Sequence, residues 1–522
     1  MKALFRVDSS FDIGAGHIMR CLTLAEKFRE NGVTVEFLSR EHPGNLIEKI
    51  VNSNFVVHTL DLKKNEKENE TRLKYSHWLG TSQKCDAFEC IEHIKEYYYE
   101  WLIVDHYAID EEWQNYLKPY FNKLFVIDDL SDRSHICDFL LDQTYKKKES
   151  LYASLVPKGC KLLLGPKYGL LRSEFAELRT RSLNLKKNPQ IKNLMINMGG
   201  FDSTNLTTSI LHHIGKSRLS REINIDVVMG LNAPFLTAVK RKAKEIPFKV
   251  NVLEDVKNMA SLMSTSDIAI GASGTTTWER CCLGLPTIQV VTASNQEYLA
   301  QSLARNNVIK LVDTIDEINE ILENSEEWVE YSSYLAAKVC DGLGSDRVLN
   351  NMSDIEISIE GYGHVQLNNY VNLDSNEHNL VLDMRNHTTI RNWMHNRNLI
   401  SKKEHENFIE KLESSTKDKY FLIKFKDSVI GSINFSKIKR NESLEFGIYS
   451  NPFSDKKGLG KLLESVATKY AFEILKVKKI NLQVYDDNKR AIKFYLSTGF
   501  EPIERKKIKS KNVVTMVKRV HL

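Results

Sequence analysis

The chain has 522 residues, 42% of them hydrophobic and 27% charged, with 24 Gly and 10 Pro; that length suits about three domains, and the apolar content excludes disorder over most of it. No apolar run approaches the ~18 residues of a membrane span, and the start MKALFRVDSS reaches Arg6 and Asp8 too early for a signal peptide, so a cytoplasmic enzyme is expected. Net charge is +5, yet from Ile474 to Leu522 thirteen Lys or Arg face four acids, which points to a polyanionic ligand. No aromatic stacking motif or zinc-finger spacing interleaves those lysines, so a phosphate-rich cofactor such as coenzyme A is favoured over nucleic acid.

Residues 1–181 alternate short β-branched runs with amphipathic stretches, the signature of a doubly wound parallel sheet. ALFRV, VTVEFLS, WLIVD and KLFVID read as buried strands. After the first of them, Gly14-Ala15-Gly16-His17 opens a helix whose core face carries Ile18, Cys21, Leu22, Ala25 and Phe28. Gly14 and Gly16 allow a sharp turn and close approach to a ligand. At the positive end of the helix dipole an imidazolium is disfavoured, so His17 suits a general base; a capping or substrate-binding role fits the spacing equally well. The charged stretch 63–74 reads as a surface loop. Asp128-Asp129-Leu130-Ser131-Asp132 reads as turn caps paired with Arg133, and no metal is expected. The eight cysteines lack metal-site spacing and read as small core fillers.

A polar link (182–190) leads into a second βα series over 191–350, with strands KNLMINM, NIDVVMG, FKVNVLE, SDIAIGA and PTIQVV. Gly199-Gly200-Phe201-Asp202 and Gly271-Ala272-Ser273-Gly274-Thr275-Thr276 each place glycine and hydroxyl residues at a helix start, which suits a diphosphate. Glu279, in the first turn after the second loop, can accept hydrogen bonds from ribose hydroxyls or simply complement the helix dipole.

GAGHIMRCLTLAE, LIVDHYAID, VIDDLSDRSHICDFLLDQ, LLGPKYGLLRSEF, MGGFDSTN and GASGTTTWERCCLGLP followed by SNQ resemble the UDP-2,4-diacetamido-2,4,6-trideoxy-β-L-altropyranose hydrolases, relatives of GT-B glycosyltransferases in the bacterial route to pseudaminic acid. The resemblance runs over about residues 1–345. It implies that His17 activates water, that Tyr107 and Asn295 with its neighbour Gln296 contact the sugar beside Arg20, and that Glu279 and the nearby loop with Gly274, Thr275 and Thr276 hold UDP; Gly200, in the other glycine loop, is a further substrate-binding candidate. It further implies attack of water on the anomeric carbon with inversion and no covalent intermediate.

The third block, 365–522, reads as α+β: helical segments, two strands joined by a turn at Asp427-Ser428, the strand ESLEFGIYS, and a helix from Gly460. Lys456, Lys457, Gly458, Leu459 and Gly460 form a glycine loop before that helix, suited to a pyrophosphate. Asn488, Ala491 and Tyr495 then share one helix face. Together these motifs resemble the GNAT superfamily of acyl-CoA-dependent N-acyltransferases. That resemblance implies acetyl-CoA as cosubstrate, Tyr495 as the acid protonating the departing thiolate, and Asn488 as a cofactor contact. Glu445, on the preceding strand, is a candidate acceptor for the amine's proton or an ordinary exposed position. LVLDMRNHTTIRNWM and FGIYSNP resemble the acetyltransferase of the same sugar pathway, which puts Arg385 and Asn386 on the sugar side.

The expected protein is α/β: two Rossmann-like, GT-B-like domains followed by a GNAT domain. It would acetylate the C4 amine of a UDP-4-amino sugar and then hydrolyse off UDP, as a monomer or weak homo-oligomer without membrane or nucleic-acid partners. A GT-B glycosyltransferase using a sugar acceptor in place of water, and a non-catalytic nucleotide-sugar sensor, are the competing readings.

Overall fold

The computed structural model describes residues 1–62, 73–187, 190–231, 233–456, 458–508 and 511–520. The expected loop 63–74 therefore lies outside the described residues except for its last two. The chain divides into two compact units, Met1–Ser345 and Asp346–Leu522.

Within the first unit lie two parallel sheets. The first contains β1 (Lys2–Val7), β2 (Thr34–Arg40), β3 (Val56–Leu60), β4 (Tyr99–Asp105), β5 (Phe121–Ile127), β6 (Phe139–Asp142) and β7 (Lys161–Leu164), in the order β3-β2-β1-β4-β5-β6-β7. The order reverses between β1 and β4, so a crevice opens beyond the carboxyl ends of those two strands. The helix Gly16–Glu30 packs its expected face inward: Ile18, Cys21, Leu22, Ala25 and Phe28 are all buried. All eight cysteines are free thiols, six of them buried.

Beneath the crevice sits a fully buried charge cluster. The Arg6 guanidinium donates to Asp86 through Nε (3.1 Å) and Nη2 (2.6 Å) and to Asp8 through Nη1 (2.5 Å). Arg40 Nη2 adds a 2.8 Å bond to Asp86, and Trp113 Nε1 another at 2.8 Å. Burial alone would raise the Asp86 pKa; Arg6 and Arg40 more than offset it and hold the carboxyl below its ordinary value. Asp86→Ala leaves two guanidinium groups in the core without their shared carboxylate. It is expected to destabilise the unit by about 3–5 kcal/mol in a urea titration. Because the folded pKa of Asp86 is depressed, its contribution is present at neutral pH and is lost as pH falls below the usual carboxylate range.

In the second sheet, β8 (Asn193–Asn197), β9 (Asn224–Met229), β10 (Lys249–Glu254), β11 (Ile268–Ala272), β12 (Thr287–Val290) and β13 (Lys310–Val312) run β10-β9-β8-β11-β12-β13. Here the reversal lies between β8 and β11, the two strands that lead into the predicted glycine loops.

A single eight-stranded mixed sheet forms the second unit: β14 (Ile355–Ile359), β15 (Gly363–Asn369), β16 (Lys419–Phe425), β17 (Ser428–Lys439), β18 (Ser443–Ser450), β19 (Lys479–Tyr485), β20 (Glu501–Ile508) and β21 (Lys511–Arg519). Its order is β14-β15-β16-β17-β18-β19-β21-β20. The sequence reading opens this domain with helices at 365, whereas two strands come first. Their cue is Ile355, Ile357 and Ile359 at alternate positions, with the latter two buried, a pattern short enough to pass for a linker. The β16–β17 turn is centred on Lys426 and Asp427, both at positive φ, one residue earlier than expected. No helix among the described residues is long and apolar enough to cross a membrane.

Candidate active sites

In the first unit the residues following β1, β4 and β5 converge. Gly14 adopts φ +81, and the helix from Gly16 starts without a side-chain cap. The loop end of this helix meets the second sheet closely: a Cβ on Gly16 would stand 3.3 Å from Thr275 Oγ1. His17, 8% exposed, has Nδ1 2.6 Å from Asp105 Oδ1 at the end of β4. In that pairing Nδ1–H donates, leaving Nε2 as the nitrogen that can take a proton. Arg20 grips the same carboxylate through Nε and Nη2, both at 2.7 Å, and reaches Asp129 Oδ2 with Nη1 at 2.5 Å. Tyr107 donates its hydroxyl to Asp129 at 3.0 Å and meets the His17 ring edge-on at 4.8 Å. Burial would raise the Asp105 pKa, but Arg20 and then His17 hold it far below the usual range, so it stays ionised.

The structure thus brings His17, Tyr107 and Arg20 together; the Arg20 guanidinium orders the Asp105 and Asp129 carboxylates and also lines a cavity with Thr275 and Glu279. Asp128 behaves as a turn cap, accepting from the Leu130 and Ser131 amides and pairing with Arg133. Asp105 is not among the candidates the sequence offers, and Asp129, expected as a turn cap paired with Arg133, instead accepts from Arg20 and Tyr107, while Arg133 pairs with Asp128 and Asp132. The signal for Asp105 was its position as the carboxylate that ends a buried strand, two residues before Tyr107.

Across the cleft, residues 273–275 follow β11 and lead into the helix Thr276–Cys282, which carries Glu279. Gly271 is required by its neighbour: a Cβ there would lie 2.3 Å from Arg280 Nη1, and Arg280 Nη2 donates to Ala272 O at 2.7 Å. Nothing lies within 4 Å of a Cβ on Gly274, and Thr275 and Thr276 are partly exposed. Burial pushes Glu279 up to about 7; Arg172, 3.8 Å away, offsets this only in part. Glu279, Thr275 and Arg172 line the same narrow cavity as Arg20 and Thr23 of the first helix.

Gly200 differs from its expected role. The Asp202 carboxylate accepts the Leu206 and Thr207 amides at 3.0 and 2.9 Å. That helix start is therefore closed by the chain's own anion, and Gly200 O accepts from Gly230 N at 2.9 Å. Asn295 is exposed, while Gln296 Oε1 accepts from the Thr292 amide and hydroxyl.

In the second unit, β18 and β19 pair in parallel only from Ser443↔Lys479 to Glu445↔Asn481. Beyond that the strands part, and the backbone groups of Phe446–Ser450 on that side have no ladder partner in β19. The helix Gly460–Lys469 starts beside this opening without a side-chain cap, preceded by Gly458 at φ +84 with open space at its Cβ position. Leu459 is the residue at the cap; Lys456 Nζ donates to Ser428 Oγ at 3.0 Å, and Lys457 lies outside the described residues. Tyr495, on the helix Lys489–Ser497, packs against Phe446 (6.2 Å between ring centres) and Phe500 (5.5 Å). Burial pushes its phenol well up.

Asn488 is occupied locally: its Oδ1 accepts the Ala491 amide at 3.1 Å as the cap of that helix. Glu445 forms an ion pair with Lys437 at 2.8 Å. Asn386 donates to and accepts from the Ile400 backbone, pinning a loop. Arg385 donates to Asn396 O at 2.8 Å, and its Nη1 is buried without a hydrogen-bond partner.

Residues 189–338 match the glycosyltransferase family 28 C-terminal domain, and residues 387–500 the acetyltransferase (GNAT) family. Over 515 residues, 97% of this chain and 98% of the relative, the chain is 23% identical to the uncharacterized protein MJ1062 of Methanocaldococcus jannaschii. Over 306 residues it is 29% identical to the UDP-2,4-diacetamido-2,4,6-trideoxy-beta-L-altropyranose hydrolase of Campylobacter jejuni, covering 58% of this chain and 97% of that enzyme. Over 136 residues it is 39% identical to the acetyltransferase PseH of Campylobacter jejuni, covering 26% of this chain and 84% of that enzyme. The N-terminal unit is thus a homologue of the hydrolase, and through its C-terminal unit the chain belongs to the GNAT acetyltransferases, as a relative of PseH.

Proposed function

We propose that this chain carries out two consecutive steps of pseudaminic acid biosynthesis on one nucleotide sugar. The C-terminal unit acetylates the C4 amine of a UDP-4-amino-4,6-dideoxy-N-acetylhexosamine, and the N-terminal unit hydrolyses the UDP-diacetamido product to free sugar and UDP. The observation that carries the reading is the His17–Asp105 pair at the strand-order reversal, next to Gly16, whose Cβ position lies 3.3 Å from Thr275 of the glycine-hydroxyl loop.

In the hydrolytic step His17 Nε2 takes a proton from water, whose oxygen bonds to the anomeric carbon. The bond from that carbon to the phosphate oxygen breaks, and UDP leaves with the electron pair. Asp105 fixes the imidazole's tautomer and stabilises the imidazolium that forms. Thr275, Thr276 and the loop amides receive the developing charge, the electrostatic part of the rate. Tyr107 and Asn295 border the hexose.

Glu279 is assigned to the ribose hydroxyls. Its pKa of about 7 makes affinity for a UDP-sugar, whose diphosphate diester is fully ionised throughout, rise as pH climbs through that value, because the carboxylate is the better acceptor. Calorimetric titration should show this slope and its loss in Glu279→Gln.

In the acetylation step the opening between β18 and β19 fits an extended amide-bearing arm, and the glycine loop before Gly460 fits a pyrophosphate. Acetyl-CoA, when bound there, supplies the acetyl group as a thioester. Tyr495 gives its proton to the departing sulfur. Glu445 is the strand's carboxylate for the amine's proton, and its ion pair with Lys437 must open for that. Arg385, whose Nη1 is buried without a hydrogen-bond partner, is assigned to the nucleotide sugar.

One incubation tests the pair of steps. Purified protein with the UDP-4-amino sugar and acetyl-CoA should yield, by mass spectrometry, first the acetylated UDP-sugar and then the diacetamido sugar plus UDP. Acetylation without UDP release, even from supplied diacetamido substrate, would refute the hydrolytic half.

A further inference from the structure

The hydrolytic mechanism leaves one feature of the cleft unused. Just before the helix Gln83–Ile94, Tyr75 and Trp78 stand beside the catalytic imidazole. Trp78 stacks on Tyr107, with ring centres 5.5 Å apart and planes at 22°. Tyr75 lies 4.6 Å from Trp78 and 5.6 Å from Tyr107, and the His17 ring is 6.2 Å from Trp78. Leu79, the next residue, is buried and anchors the segment, whereas Tyr75 and Trp78 remain half-exposed. Lys74, at the same segment's edge, donates to Ser294 Oγ at 3.1 Å, next to Asn295 on the opposite side of the cleft. The segment from Lys74 to Trp78 therefore runs from beside the base to the loop assigned to the sugar.

From this placement we infer that Trp78, supported by Tyr75 and Tyr107, is a specificity-determining residue that selects hexoses with an apolar rim, namely a C6 methyl and N-acetyl methyl groups. The inference rests on the hydrolase reading above and names the feature of the sugar which that site prefers. The faces of these rings, with Tyr107 buried and Tyr75 and Trp78 half-exposed, favour a methyl over a hydroxymethyl, which would lose water against an aromatic face without gaining a partner there. An apolar pocket of this kind discriminates by about 10- to 100-fold.

The test compares kcat/KM for UDP release from the 2,4-diacetamido-2,4,6-trideoxy substrate and from its 6-hydroxy counterpart. Wild type should prefer the 6-deoxy sugar by about 10- to 100-fold. Trp78→Ala should erase most of that preference by slowing the deoxy substrate alone, Trp78→Phe should restore part of it, and UDP affinity should stay at the wild-type value in both. Equal slowing of both substrates, an unchanged preference, or loss of UDP affinity in Trp78→Ala would overturn the assignment. Absence of UDP release from either substrate by wild type would instead overturn the hydrolase reading beneath it.

Discussion

His17→Ala is expected to lower UDP release by about 10²–10⁴-fold, the range lost with a positioned general base, and to leave acetyl transfer at the wild-type rate. Among the described residues beside the cleft, the His17 imidazole has the nitrogen set up to accept a proton, because Asp105 engages its other nitrogen at 2.6 Å. The substitution does little else. Asp105 keeps its two bonds to Arg20, so no carboxylate is left buried without a cation and the fold should hold. Asp105→Asn is the less informative variant, since it disturbs the Arg20 pairing as well. Assaying UDP release from supplied diacetamido substrate separates the hydrolytic loss from any effect on the preceding step.

Tyr495→Phe is expected to slow acetyl transfer by about 10²-fold or more without changing UDP release from substrate that is already acetylated. The phenol is held among Phe446, Phe494 and Phe500, and burial raises its pKa, so it keeps its proton at neutral pH and can give it to a thiolate. Among the described residues its hydroxyl has no hydrogen-bond partner, so removing it costs the fold little. A melting temperature near wild type, together with a slowed burst of free thiol from acetyl-CoA, is the expected pair of readings.

What was legible in the sequence was local. The Gly14–Gly16 and Gly458–Gly460 loops announce themselves because glycine, a helix start and the preceding strand lie within one short stretch, and the core face of the Gly16–Glu30 helix follows from its period. Asp105 was not legible as His17's partner because the two are 88 residues apart. They meet only because β4 lies beside β1 in the sheet, an order that periodicity does not reveal. Trp78, on the short helix Ser76–Leu79, likewise meets Tyr107 and His17 across stretches of chain that periodicity does not connect.

Competing local chemistry explains the other differences. An Asn just before a helix caps it, so Asn488 serves the Ala491 amide. The Asp after Gly199-Gly200 likewise fills the helix start that a diphosphate would need. The strand pair β14–β15 was hidden by its brevity, with three alternating isoleucines set among polar residues.

The most direct test of the hydrolytic account is the fate of solvent oxygen. Hydrolysis run in water enriched in oxygen-18 should release UDP free of the label, since a water primed by His17 attacks carbon and the phosphate keeps its bridging oxygen. UDP is the product to read because the free sugar exchanges its anomeric oxygen through the open-chain aldehyde. Label in the β-phosphate of UDP would show attack at phosphorus and contradict the account.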